Sequence, residues 1–215
     1  MEVKPGVYTY DLEWEYDEYT EPLSVTIIET DAGTVLFGGG DTYTADELVG
    51  IAEDHAVDAV VIEHGDVDHY DGIPALQAAI DPEVAAPAGD IHKLNAAGID
   101  VDVELQAGES YRGVMPIATP GHTPDNMAYL YESVLVAGDT VVGSDSVFAA
   151  DGPWSGPLAI ITAGFSYDDT QTRASVRSLL EFEFDTVLVA HGSNVLTDGY
   201  EAVETVVNDL ETIEE

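Results

Sequence analysis

Val60-Val61-Ile62-Glu63-His64-Gly65-Asp66-Val67-Asp68-His69-Tyr70-Asp71-Gly72 decides how this chain is read: an apolar run passes directly into four metal-ligand side chains within six residues, His64, Asp66, Asp68 and His69. A strand covered on both faces is written as a nearly continuous apolar run, and Val57–Ile62 is one. In layered α/β folds, chemistry collects where such strands end. The stretch therefore predicts the front half of a dinuclear metal site at a strand's carboxyl end.

The chain on either side supports a layered fold. Val7–Tyr10, Leu23–Glu29 and Thr34–Phe37 read as opening strands around an acidic, tyrosine-rich turn, with Tyr8, Tyr10, Trp14, Tyr16 and Tyr19 most simply the half-buried side of a hairpin. Gly38-Gly39-Gly40 is a turn, because it lacks dinucleotide-fingerprint spacing and Asp41 follows it. Thr44 and Glu47 have the spacing of a capping box, which predicts a helix through Asp54 closed by His55. Further helices are predicted over 73–80, 89–97, 170–180 and 197–210, and strands over 84–86, 100–105, 111–119, 127–131, 134–137 and 186–190. His92, inside one of those helices beside Lys93, is assigned to surface or core and not to a ligand. Residues 141–168 hold Gly, Pro and aromatics with little periodicity, and a loop that long in a compact domain is usually functional. It is expected to cover a substrate, with Trp154 and Tyr167 as candidate substrate-binding residues.

Composition narrows the chemistry. With 215 residues, one domain over 1–215 is expected. The absence of cysteine removes disulfides, thiolate ligands and thiol nucleophiles, so any metal must take imidazole and carboxylate. A net charge of −38, from 43 acids against 5 Lys and Arg, leaves few cations for a nucleic-acid backbone. The same charge is tolerable where the screening length is short, about 3 Å near 1 M salt. The 45% hydrophobic content supplies a core. A soluble protein of a high-salt cytoplasm is expected, with no apolar run long enough for a membrane span and no secretory leader.

Three more residues complete the ligand set. His122 lies in the turn Pro120-Gly121-His122-Thr123-Pro124-Asp125-Asn126, Asp139 follows the strand over 134–137, and His191 follows the strand over 186–190. Seven imidazoles and carboxylates suffice for two divalent cations sharing one carboxylate.

In this order the ligands resemble the metallo-β-lactamase superfamily, whose motif is His-x-His-x-Asp-His followed by a distant His, an Asp and a last His. The resemblance covers nearly the whole chain and implies an α+β, four-layer αββα sandwich. It implies one metal on His64, Asp66 and His122, another on Asp68, His69 and His191, and Asp139 bridging them. Two divalent ions follow, zinc first, with iron or manganese as alternatives. The implied activity is glyoxalase-II-like hydrolysis of an ester, thioester or related bond of a small molecule through a metal-bound hydroxide, with Asp68 holding or accepting the water proton. Asp66 departs from the pattern, standing where most members have a second histidine. This is reminiscent of the flavodiiron branch, and it keeps open a diiron redox protein with a separate electron donor, or a low-turnover metal-binding module. Oligomeric state is not legible in the sequence.

Overall fold

The computed structural model describes residues 1–16 and 19–214; Asp17 and Glu18, within the acidic stretch read as a turn, lie outside the described residues, as do the side chains of Tyr16, Tyr19 and Glu214. The chain divides into two compact units, Met1–Pro116 and Ile117–Glu215.

The first unit is built on a seven-stranded sheet, β1 (Glu2–Lys4), β2 (Val7–Tyr16), β3 (Tyr19–Thr30), β4 (Gly33–Phe37), β5 (Ala59–Val61), β6 (Glu83–Pro87) and β7 (Val103–Leu105), whose spatial order follows chain order. The strands from β1 to β4 pair antiparallel, and those from β4 to β7 pair parallel. Helices α1 (Ala45–Asp54), α2 (Val67–Tyr70), α3 (Ile73–Ala79) and α4 (Ile91–Ala96) lie in the connections between parallel strands, as parallel pairing requires. Leu48 and Ala52 of α1, Ile73 and Leu76 of α3 and Leu94 of α4 share one core with Val25, Ile27, Leu36, Val60, Ile62 and Val84. Because Ala59 and Val61 on the opposite face are equally buried, β5 reads as a continuous apolar run.

The β2–β3 hairpin is longer than the sequence reading. Residues taken as an acidic turn continue the strands, in register from Val7↔Ile28 to Tyr16↔Tyr19. Along β2, Asp11, Glu13 and Glu15 are exposed while Leu12 and Trp14 are buried, the period-two alternation of a half-buried strand. Trp14 donates its indole N–H to Asp41 at 2.8 Å, and Tyr8 and Tyr10 gather around His55, whose Nε2 lies 2.6 Å from the Tyr10 hydroxyl.

The expected Thr44–Glu47 capping box does not form: the Thr44 side chain makes no cap bond and instead exchanges hydrogen bonds with the Asp41 backbone. Asp41 Oδ1 accepts from the backbone of Tyr43 and Thr44, so an Asx-type turn starts α1. Asp41 thereby takes the Thr44 amide that the Glu47 side chain of a capping box would accept, and the Thr44 hydroxyl is occupied by the Asp41 backbone.

The second unit holds a four-stranded sheet in the order β13, β10, β9, β8, from β8 (Met115–Ala118, which begins at the boundary), β9 (Met127–Tyr131), β10 (Val134–Gly138) and β13 (Thr186–Val189). β9 and β10 form a hairpin that turns through Glu132 at positive φ, and β13 adds parallel to β10. The short pair β11 (Val142–Gly143) and β12 (Leu158–Ala159), with α5 (Asp169–Ser178) and α6 (Gly199–Glu214), completes it. The segment 141–168 is less loop-like than its sequence suggests. Val141, Val142, Phe148 and Leu158–Ile161 are buried, so part of it is core. Among the described residues no helix is long and apolar enough to cross a membrane.

Candidate metal centre

In the first unit the four candidate ligands sit in the stretch that follows the carboxyl end of one parallel strand, β5. β5 delivers Ile62, Glu63 and His64; Asp66 is the residue before the single turn of α2, and α2 carries Asp68 and His69. The turn after β4 holds this loop from behind: Gly39 N donates to His69 O at 2.8 Å, and Gly72 N donates to Gly40 O at 3.1 Å. A Cβ on Gly72 would collide with the Gly39 carbonyl, so the two glycine stretches answer one close backbone approach.

His64 and His69 are fully buried, with ring centroids 4.0 Å apart. His69 Nδ1 lies 3.1 Å from Glu63 Oε2, itself buried. A carboxylate only accepts, so Nδ1 carries the proton and Nε2 presents its lone pair, the tautomer a metal ligand needs. That Nε2 is 3.6 Å from Asp68 Oδ2, and His64 Nε2 is 3.8 Å from Asp66 Oδ2. Lys93 Nζ donates to the other Asp66 oxygen at 3.1 Å. His92 is exposed.

In the second unit the three candidate ligands come from separate loops. The His122 loop is closed by Thr119 N donating to Asn126 O at 2.9 Å, and the Asn126 amide nitrogen lies 2.9 Å from both Thr119 Oγ1 and Thr140 Oγ1. Because Thr140 follows Asp139, this buried network fixes His122 and Asp139 together. From the other side, Tyr167 N donates to His122 O and Asp168 N to Gly121 O, each at 2.9 Å, and Asp168 caps α5. Gly121, at φ +138°, leaves no room for a Cβ against Thr172. His191 follows β13, and its ring packs on Phe148 at 4.8 Å, which meets Phe165 at 5.3 Å. Asp145 accepts from Ser193 N at 2.9 Å and Ser193 Oγ at 2.6 Å, tying the turn after His191. Burial pushes the Asp145 carboxyl up, but the Ser193 side-chain and backbone bonds outweigh it and hold the carboxyl below its usual value.

Asp139 Oδ2 lies 3.5 Å from His122 Nε2 and 3.7 Å from His191 Nε2, with all three groups buried. These spacings, like the 3.6 and 3.8 Å of the first unit, are too long for good hydrogen bonds. They are close to the separation of two donors sharing one cation: ligands about 2.1 Å from a tetrahedral ion lie about 3.4 Å apart. The donor set, all imidazole and carboxylate, fits zinc, iron or manganese. Within each unit the ligand atoms of His64 and Asp66, of Asp68 and His69, and of Asp139 and His191 lie within 4.8 Å of each other.

The sequence reading assigned no role to Glu63, Lys93, Asn126, Thr119, Thr140 or Phe148. Glu63 had a signal, a carboxylate directly preceding the motif. The remaining contacts join residues far apart in sequence and leave no local pattern. Of the substrate-binding candidates, Tyr167 is 75% exposed and anchored through its backbone. Trp154 is half-buried, and its indole N–H is engaged with Ala150 O at 2.6 Å.

The imidazoles and carboxylates gathered after the strands are candidate metal ligands in a fold of the α+β class. The family model of the metallo-beta-lactamase superfamily matches residues 20–191, and the chain belongs to that superfamily. Among solved structures it is similar to a metallo-beta-lactamase from Pontibacter korlensis, with TM-score 0.75 and 18% identity over 98% of this chain and 97% of that one. It is also similar to one from Hirschia baltica, with TM-score 0.70 and 17% identity over 97% and 95%. At that identity the likeness establishes the fold, which agrees with the class expected from the sequence. Curated relatives include hydroxyacylglutathione hydrolases of Dechloromonas aromatica, 32% identical over 41% of this chain, and of Rhodopseudomonas palustris, 32% identical over 44%. The match spans 32% and 38% of those relatives, about a third of their length.

Proposed function

We propose that this chain is a metal-dependent hydrolase acting on an ester, thioester or related bond of a small molecule, with residues 1–215 working as one domain. One cation is held by His64, Asp66 and His122, a second by Asp68, His69 and His191, and Asp139 is shared between them. The observation that carries this reading is the donor spacing of 3.5 to 3.8 Å, repeated at Asp66, Asp68 and Asp139, which suits cation sharing better than hydrogen bonding. Zinc is the first expectation, with iron or manganese as alternatives.

Divalent cations there would supply Lewis acidity and lower the pKa of water toward neutrality, which removes the need for a protein nucleophile. The side chains do the rest. Asp68, only partly buried, holds and accepts the proton of the attacking water. Glu63 fixes the His69 tautomer, and the Asn126 network holds His122 and Asp139 in place. Tyr167 and the Trp154 ring are kept as substrate contacts.

The hydroxyacylglutathione hydrolase relatives favour a thioester. The surrounding charge favours one without a strongly anionic thiol: of five Lys and Arg, Lys93 pairs with Asp66, Arg112 with Glu83 and Arg173 with Asp169. A high-salt cytoplasm remains the proposed setting for the charge of −38.

The test is metal analysis of protein purified from its native host, followed by hydrolysis assays on esters, thioesters, lactams and phosphodiesters in concentrated salt. Two metals per chain and turnover of one class support the reading. Two metals with no hydrolysis on any class sink it, and one metal per chain favours a low-turnover module. The oxygen donor of Asp66 favours a second reading, a diiron redox protein served by a separate electron donor, and zinc-only metal content eliminates it.

A further inference from the structure

Asp66 divides its two carboxylate oxygens between different partners. Oδ2 faces His64 Nε2 at 3.8 Å, and Oδ1 accepts from Lys93 Nζ at 3.1 Å. Lys93 is one of five Lys and Arg in a chain with 43 acids, so chance pairing of this rare cation with the one departing ligand is a weak explanation. The path of its side chain is also confined. A Cβ at Gly65 would lie 3.1 Å from Lys93 Cδ and 2.8 Å from Asp90 Oδ1, so the glycine beside His64 leaves the space through which the lysine stem runs.

We propose that Lys93 is a positioning residue that makes Asp66 a one-oxygen ligand and offsets its charge, giving the metal at His64 a donor set shaped like one with a histidine at position 66. Histidine offers a metal one neutral nitrogen. A free carboxylate offers two oxygens and a full negative charge, and can bind through both. With Oδ1 held by the ammonium, Asp66 presents one oxygen, and the pair as a whole is neutral. Lys93 also keeps the stem of a long side chain over the loop while its charged end reaches the carboxylate. Half-exposed Lys93 and partly exposed Asp66 lie at the surface of the first unit, where substitution leaves the core intact.

This inference rests on the metal-centre reading, and the experiment separates the two. Wild type, Lys93→Met, Lys93→Arg and Asp66→Ala/Lys93→Met are loaded with cobalt(II). Each is followed by visible absorption, which reports coordination number, and by competition with a chelator, which reports affinity. In Lys93→Met the second carboxylate oxygen is released and a like charge is removed. One of the two cobalt ions should then bind about tenfold more tightly, with a weaker visible band from higher coordination. Lys93→Arg should match wild type, and the double variant should lose the effect of residue 93. If wild type binds two cobalt ions and Lys93→Met is unchanged in spectrum and affinity, or binds more weakly, the role of Lys93 is overturned while the metal centre stands. If wild type binds no cobalt, both fall together.

Discussion

The two units of this chain supply their candidate ligands in opposite ways. In Met1–Pro116, four ligands come from one six-residue stretch, and a single helical turn plus one neighbouring carboxylate, Glu63, orients them. In Ile117–Glu215, the three ligands His122, Asp139 and His191 come from three loops, and their arrangement depends on a buried polar network, an Asp145–Ser193 tie and the Phe148 ring. A local motif is fixed mainly by the backbone of its own turn. A dispersed one must be held by side chains that never touch a metal, so its precision is spread over residues with no motif of their own.

That contrast can be broken most directly at Asp139, the ligand proposed to serve both cations. Asp139→Ala should lower bound metal from two ions toward one or none and reduce hydrolysis beyond the roughly 100-fold ceiling of an outer residue. Retention of two tightly bound ions would contradict the shared role. Next is Asn126→Leu, which removes the amide donor that the buried Thr119 and Thr140 hydroxyls share and leaves them only their bond to each other. We expect a loss of about 2 kcal/mol in denaturant unfolding and roughly 10- to 100-fold weaker metal binding. Glu63→Gln tests the local half. It should weaken metal binding about 10-fold with little change in unfolding midpoint, since the amide keeps the shape and one acceptor. If Glu63→Gln unfolds the protein as readily as Asn126→Leu, the distinction between local and dispersed anchoring fails.

Smaller effects sharpen the picture within the first unit. Asp41→Ala removes both the helix-start acceptor and the partner of the buried Trp14 indole N–H and should cost at least about 1 kcal/mol, while Glu47→Ala should change stability by less than about 0.5 kcal/mol. Equal costs would restore the capping box. The smallest effect concerns pH. The Tyr111 hydroxyl, 2.6 Å from Glu83 Oε1, and then the Arg112 guanidinium hold the Glu83 carboxyl below its ordinary value, with burial opposing them. A depressed folded pKa means that Glu83 stabilises the fold above its unfolded pKa and loses this contribution as pH falls through the folded value. Glu83→Gln should therefore reduce the acid sensitivity of unfolding measured between neutral pH and the carboxylate range, and an unchanged pH profile would refute the assignment.

The strands and helices that flank the motif were legible because their burial follows simple periods. β5 is apolar throughout, and α1 places Ala45, Leu48 and Ala52 on one buried side. The hairpin was underestimated because acidic residues on an exposed face resemble a turn when counted by type, although Asp11, Leu12, Glu13, Trp14 and Glu15 alternate as a strand should. The capping box failed for a related reason. Thr44 and Glu47 had the right spacing, but the Thr44 hydroxyl bonds the Asp41 backbone and the Asp41 carboxylate takes the Thr44 amide. Segment 141–168 lacked a period because its buried residues pack as an irregular chain, with Phe148 placed against His191 by the fold and not by a helix or strand repeat.

Sequence by itself determined the superfamily and the ligand candidates, because strand ends, glycine turns and imidazole–carboxylate spacing are written locally at His64–His69, His122, Asp139 and His191. It also revealed that Asp66 departs from the two-histidine pattern. Tertiary structure alone decided what surrounds those ligands: Glu63 on His69, Asn126 between Thr119 and Thr140, and Lys93 on Asp66. A pairing between residues 66 and 93 depends on where α4 is placed by β6 and by the shared core, and no local spacing encodes that distance.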